Sequence, residues 1–352
     1  MKEDGKTPSP LRILEWLSRP AMAFYILPLL MLLLIAGTLA QAEIGLYEAH
    51  KKYFASFFFF WGPVPLPGGY SLLGLLTVNL LIKFIFFSEW RWRKVGIIIA
   101  HLGALILLVG GLLTAIFARE GYMIIAEGQK SPYVYDYHAR ELMIYEDNQA
   151  LYAIPYTDLY MNRHLDELRL SFDLRILDRC DNCKISKREE LPQGYAPKDL
   201  QSMAGFMALS SKTKEKEAEA NMSGLTFRIE DSVEYDGVYI AFDGMPKPVE
   251  LSAGGHDYKI IFGKAQRELP FQIELEDFVK TDYPGMQMAK AYYSDVRVLD
   301  EGAHWAQRIE MNAPLRYKGY TFYQSSYDQS GPAEMTVLSV VENKGRIFPY
   351  LG

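Results

Sequence analysis

The sequence predicts an α+β membrane protein, with three N-terminal transmembrane helices followed by a large antiparallel β-rich domain. Two observations predict this class. Three long stretches before residue 119 are almost free of charge, and each is long enough to cross a bilayer as a helix. Beyond residue 119, short apolar runs alternate with Gly, Pro and Asp turns, which is typical of strands. The hydrophobic share of 49% is an average over these two unlike parts.

The first helix is predicted at about 20–42, after a basic segment, 1–19, that we expect on the cytoplasmic side. Residues 57–61, FFFFW, precede three prolines and predict an interfacial belt or a short re-entrant segment, because proline breaks helices. The second helix is predicted at about 69–87. It leads into a connection with three cations and two tryptophans, which is typical of the cytoplasmic interface.

The third helix is predicted at about 95–118, so 119–352 is predicted as an extracytoplasmic domain. This helix contains one ionisable residue, His101, which lies six residues after Val95 and roughly 9 Å along the axis. A histidine in hydrocarbon costs free energy unless its nitrogens are bound, so His101 is a candidate ligand for a cofactor. The alternative is a hydrogen bond to a neighbouring helix, for example to Asn79. The small residues gather on another side of the helix, where they favour close packing: Gly96, Ala100, Gly103, Gly110, Gly111 and Thr114.

The polar part of the chain is predicted to form short antiparallel strands. The segments with the clearest pattern are 225–229, 238–242, 258–262, 271–275, 296–299, 321–324 and 335–340. The charged segment 212–220 has no apolar face and predicts a solvated loop or a helical insertion. The net charge of -6 and the lack of long basic runs argue against a nucleic-acid partner.

Two cysteines form a CxxC motif, Cys180 and Cys183, on the predicted extracytoplasmic side. Lys184 stands where a CxxCH haem-attachment motif needs histidine. Three uses remain open for this pair: a local disulfide, thiol exchange with a reducing partner, and half of a metal site. Five further histidines lie outside the predicted hydrocarbon, so an intramembrane haem with two imidazole ligands would take its second ligand from a partner or a second copy. They are His50, His138, His164, His256 and His304.

Several motifs resemble the ResB-like (CcsB) family of the system II cytochrome c maturation pathway. The most specific are NAPL at 312–315 and KGYTFYQSSY at 318–327, a long pattern that is unlikely by chance. The other matching pieces are Gly37-Thr38 with Gln41, Arg93/Lys94 before His101-Leu102-Gly103, and Leu269-Pro270-Phe271. These pieces are distributed over nearly the whole chain.

The resemblance implies a subunit of the cytochrome c synthetase complex in the bacterial inner membrane. Such a subunit binds b-type haem in the membrane and helps to deliver it to apocytochrome c, and the family's axial haem ligand corresponds to His101. The implied partner is a CcsA/ResC-type membrane protein that carries most of the haem lyase chemistry, so this chain is expected to be non-catalytic or co-catalytic. The resemblance does not explain the CxxC, and exchange with a thiol-reducing, thioredoxin-like partner stays open as one of its uses. The alternative function is a membrane-anchored β-domain scaffold of the cell envelope without a cofactor.

The resemblance also implies a fourth span after the β domain. Residues 346–352 lie where that helix would begin.

Overall fold

The computed structural model describes residues 10–189, 196–286 and 288–352, and it divides into two compact units. The helical unit comprises the chain up to Arg119 together with Lys318–Tyr320 and Val341–Gly352. The β unit comprises Glu120–Tyr317 and Thr321–Val340. Residues 1–9 of the predicted cytoplasmic segment lie outside the described residues.

Among the described residues, the helical unit contains three helices that are long and apolar enough to cross a membrane, of 25, 18 and 26 residues, the last counted from the 3₁₀ turn Trp92–Lys94 that leads into it. These helices and the β-rich unit together confirm the predicted fold class. The helices of this unit are α1 (Pro10–Leu17), α2 (Pro20–Ile44), α3 (Leu46–Ala49), α4 (Gly69–Phe86), α5 (Val95–Phe117) and α6 (Phe348–Leu351). Local sequence determines the ends of α2: a proline occupies its first turn, and Gly45, with a φ of 82°, follows its last residue.

The aromatic segment at 57–61 forms a hairpin where the sequence predicted an interfacial belt or a re-entrant segment. Its strands are β1 (Phe58–Trp61) and β2 (Val64–Pro67), paired antiparallel. The prolines are compatible with this ribbon because each strand has one partner and leaves its other edge without ladder bonds. Phe59 is buried against Tyr53, with ring centroids 4.8 Å apart. The neighbouring rings, Phe58, Phe60 and Trp61, are exposed.

The C-terminal residues pack on the small-residue side of α5. Phe348 lies against Gly110, where a Cβ would overlap its ring, so glycine is required for this approach. Thr114 donates a hydrogen bond to Asn343 Oδ1 at 3.2 Å. These contacts explain why Val341–Gly352 groups with the helices, whereas the sequence predicted a single domain over 119–352.

Strands β3 to β17 follow α5 in the chain. They are β3 (Arg119–Ala126), β4 (Lys130–Glu146), β5 (Gln149–Pro155), β6 (Asp173–Cys180), β7 (Cys183–Lys187), β8 (Met207–Ser211), β9 (Gly224–Glu230), β10 (Gly237–Phe242), β11 (Val249–Ala253), β12 (His256–Asp282), β13 (Ala289–Asp300), β14 (Ala303–Glu310), β15 (Leu315–Tyr317), β16 (Tyr320–Asp328) and β17 (Met335–Glu342).

The largest sheet has ten strands, in the order β14-β13-β12-β4-β3-β17-β16-β15, with β11 added to β12 and β5 added to β4. Its central strand, β12, is 27 residues long and pairs antiparallel with β11, β4 and β13 in turn. The predicted strands 258–262 and 271–275 are therefore two parts of one strand. The other five predicted strands lie within β9, β10, β13, β16 and β17.

A three-stranded sheet, β10-β9-β6, shares one apolar core with the large sheet. Fully buried members of this core include Leu142, Ile144, Phe227, Ile229 and Ile260. Strands β7 and β8 form a separate pair beside it. The charged segment 212–220 is almost entirely exposed and forms a loop with one 3₁₀ turn, Ala218–Ala220. Of the two structures predicted for this segment, the loop is the observed one.

Candidate ligand site around His101

His101 lies in the second turn of α5 with one ring nitrogen bonded to its own helix. Its Nδ1 is 2.7 Å from the carbonyl oxygen of Ile97. Because a carbonyl oxygen only accepts, Nδ1 carries a proton, and in the neutral ring Nε2 then presents a lone pair. A hydrogen bond of this kind fixes both the tautomer and the orientation of the histidines that ligate metals. The half-buried ring is therefore oriented so that Nε2 can donate its lone pair to a metal ion.

The alternative partner, Asn79, is bonded elsewhere. Its side chain is buried, and its Nδ2 donates to the carbonyl oxygens of Leu17 and Arg19. These bonds connect α4 to the junction between α1 and α2, so Asn79 does not satisfy His101.

A cavity of about 160 Å³ lies beside His101, between the end of α4 and the start of α5. Its lining combines apolar groups with charged ones: Lys83, Phe87, Ser88, Glu89, Lys94, Ile97, Ile98 and His101. The signal that could have found part of this site is the spacing of Lys94, Ile97 and His101, which share one face of a helix.

The charges on the cavity wall are not all neutralised. Lys94 pairs with Glu89 at 2.8 Å, and this hydrogen bond lowers the pKa of the Glu89 carboxyl. Arg91 lies 3.8 Å from the same carboxylate. Lys83, in the last turn of α4, has no carboxylate within 4 Å among the described residues. The cavity therefore has the His101 imidazole on one side and, on another, an ammonium that pairs with no carboxylate among the described residues.

The C-terminal segment does not pack on the side of α5 that carries His101. Gly110, which receives Phe348, is nine residues from His101 and so lies on the opposite side of the helix. Gly103 and Gly352 also approach each other on the small-residue side. The packing face and the histidine face predicted from the sequence are thus separate.

The other histidines do not line this cavity. His50 is exposed, in a π-helical turn, His50–Phe54, of the helical unit. The remaining four belong to the β unit: His138, His164, His256 and His304. Three of these have a carboxylate within 4 Å, the closest being Asp147, 2.8 Å from His256. No group of three or more His, Cys, Asp or Glu side chains in the described ranges could hold a metal ion.

Cys180 and Cys183 form a disulfide at the turn between β6 and β7, and both residues are buried. Asp181, inside this turn, accepts bonds from Arg179 and Tyr156 at 3.1 Å and pairs with Lys214 at 2.8 Å. Burial alone would raise the pKa of Asp181, but these partners outweigh it and lower the pKa to about 2. The disulfide and the charged cluster hold the same turn, which favours a structural role over thiol exchange.

Changing both Cys180 and Cys183 to Ser is expected to destabilise this turn without affecting the cytochrome c maturation that the resemblance implies. The closed loop is short, so its loss costs about 2 kcal/mol in unfolding free energy. The check is denaturant unfolding of the full chain beside a maturation assay. A maturation defect that added thiol reductant repairs would instead support exchange chemistry.

The fold and the site together define a membrane protein in which three apolar helices carry a candidate imidazole ligand and precede a β-rich unit. The ResB-like family matches residues 90–155 and 250–348, and this confirms the resemblance stated above. The chain is also similar to protein NrfI of Wolinella succinogenes, with 24% identity over 291 residues. That alignment covers 80% of this chain and 28% of NrfI, so the chain spans under a third of that relative.

The matched segments separate the two candidate sites. His101 lies within the first matched segment, whereas Cys180 and Cys183 lie in the unmatched residues between the two. The matched residues also contain the strands of the large sheet, and β6 to β10 fall in the unmatched part.

Proposed function

We propose that this chain binds haem within the membrane through His101 Nε2 and helps to deliver it for covalent attachment to apocytochrome c. The observation that carries the proposal is the hydrogen bond from Nδ1 to the Ile97 carbonyl, at 2.7 Å. It leaves Nε2 free to donate to iron and restricts ring rotation, as in known metal-ligating histidines. In this function haem is cargo that passes through the protein.

The site's residues are suited to a flat amphipathic ligand. Ile97 and Ile98 provide apolar contact beside the histidine, while the charged groups gather at the end of the cavity near the connection between α4 and α5. Haem is likewise divided into apolar and charged parts. Its macrocycle is apolar, its iron binds imidazole, and its carboxylates lie along one edge. His101 supplies one axial ligand, and a partner subunit or a second copy supplies the other.

The partner is proposed to be a CcsA/ResC-type membrane protein within a system II synthetase. Joining the haem vinyl groups to cysteine thiols is assigned mainly to that partner, and this chain holds and orients the haem. The β unit is proposed to lie on the extracytoplasmic side of the bacterial inner membrane. Support comes from the cations before α5, which favour a cytoplasmic start for that helix, and from the disulfide, which suits an oxidising compartment.

The test is the visible spectrum of the chain purified together with a CcsA/ResC-type partner. We expect a Soret band and a haem content near one per complex. A complex that assembles but carries no haem would contradict the proposal and favour the scaffold function, in which the β unit organises an envelope complex without a cofactor.

A further inference from the structure

We propose that the Lys83 ammonium binds a propionate of the haem that His101 ligates, and so sets which edge of the porphyrin faces the connection between α4 and α5. This inference rests on the proposed function. It adds a second recognition element in the same cavity, with a different chemistry: a cation for a carboxylate, beside an imidazole for iron.

The positive charge of Lys83 is available to a ligand carboxylate. Lys94 and Arg91 share the Glu89 carboxylate, so their charges are partly used within the connection. Lys83 lines the same cavity and forms no ion pair within 4 Å among the described residues, while its charge acts on Glu89 only at longer range. A half-buried cation beside apolar walls gains more from a ligand carboxylate than a fully exposed one, because water screens it less.

The position of Lys83 also favours contact with a propionate. His101 lies roughly 9 Å along α5 from Val95, which follows directly after the charged connection. Lys83 and His101 line the same cavity, so a haem ligated at Nε2 with its carboxylate edge toward the connection would bring a propionate toward Lys83. Its apolar edge would remain deeper in the membrane. The reverse orientation would place carboxylates in hydrocarbon, which is costly.

The experiment is a titration of the chain and its partner, purified together and stripped of haem, with haem and with haem dimethyl ester. The Soret band reports ligation in each case. In the wild type we expect the ester to bind about tenfold more weakly than haem, since esterification removes the charge that Lys83 recognises. Lys83→Gln is expected to weaken haem binding about five- to tenfold and to leave ester binding unchanged.

Two variants serve as controls. Lys83→Arg keeps the positive charge and is expected to retain most of the preference for haem over its ester. Arg93→Gln removes a nearby cation that does not line the cavity, and its titration is expected to match the wild type. A Lys83→Gln protein that failed to fold would lose ester binding as well as haem binding, so misfolding is distinguished from loss of the charge. The comparison of haem with its ester in the wild type does not depend on any variant.

Equal affinities of the wild type for haem and ester, or a Lys83→Gln protein with unchanged haem affinity, would overturn the inference. Lys83 would then serve the membrane interface, where a lysine side chain reaches lipid headgroups. In both of these outcomes haem still binds and His101 keeps its proposed role. A wild-type complex that bound neither haem nor ester would overturn the proposed function and this inference together.

Discussion

Replacing His101 with alanine is expected to reduce the haem that copurifies with the complex by at least tenfold. The imidazole is the only ionisable side chain between Val95 and Phe117, so no neighbouring group in α5 takes its place as an iron ligand. The expected reading is a lost or shifted Soret band at equal protein content. Added free imidazole is expected to restore part of the band, because the truncated side chain leaves space for it beside Ile97 and Ile98.

His50→Ala is the matched control for this substitution. His50 is in the same helical unit, but it is exposed and lies in the turn after α3 rather than within α5. It should leave the haem content and the spectrum unchanged. If His101→Ala kept the wild-type spectrum, the ring would have a packing role only, and the proposed function would be wrong.

Replacing Arg140 with methionine is expected to cause the largest loss of stability in the β unit. The Arg140 side chain is 8% exposed, and its Nε donates to Asp243 Oδ2 at 3.0 Å. Its terminal nitrogens donate to the carbonyl oxygens of Asn221 and His138. Removing one partner of a buried pair leaves the other charge uncompensated, at a cost of about 3 kcal/mol or more. Lys264, 4.0 Å from Asp243, offsets part of this cost.

The measurement is amide hydrogen exchange of β4 and β12 in the intact chain. A loss of about 3 kcal/mol corresponds to exchange through opening that is roughly 150-fold faster. Arg308→Met is the control, because Arg308 makes a bidentate pair with Asp295, at 2.8 Å, with a side chain that is 47% exposed. This pair is expected to be worth less than about 1 kcal/mol. Similar effects of the two substitutions would show that burial of the Arg140 pair is unimportant.

The helical part of the fold was predictable because its cause is local. The three apolar stretches have the length of a bilayer, and a helix satisfies its own backbone hydrogen bonds there, so no distant residue is needed to define them. The hairpin at Phe58–Trp61 was not predicted, because its pairing with Val64–Pro67 competes with the membrane-interface behaviour of the same aromatic residues.

The candidate site was predictable in its central residue and not in its surroundings. His101 stands out as an isolated polar group in an apolar helix, and such a group needs a partner. The Ile97 carbonyl that orients it is only four residues away, yet the sequence pattern does not reveal which rotamer the ring adopts. Lys83 belongs to another helix, and only the turn between α4 and α5 brings it to the same cavity.

By itself, the sequence determined the membrane helices, the strand-rich character of the second half, the resemblance to ResB-like proteins and the choice of His101. Each of these depends on periodicity, length or residue type within a short segment. The tertiary structure alone decided the pairing of β12 with β4 more than a hundred residues earlier, the packing of Phe348 on Gly110, and the cavity that Lys83 and His101 both line. These are contacts between distant segments, and their energies depend on the packed geometry rather than on any local pattern.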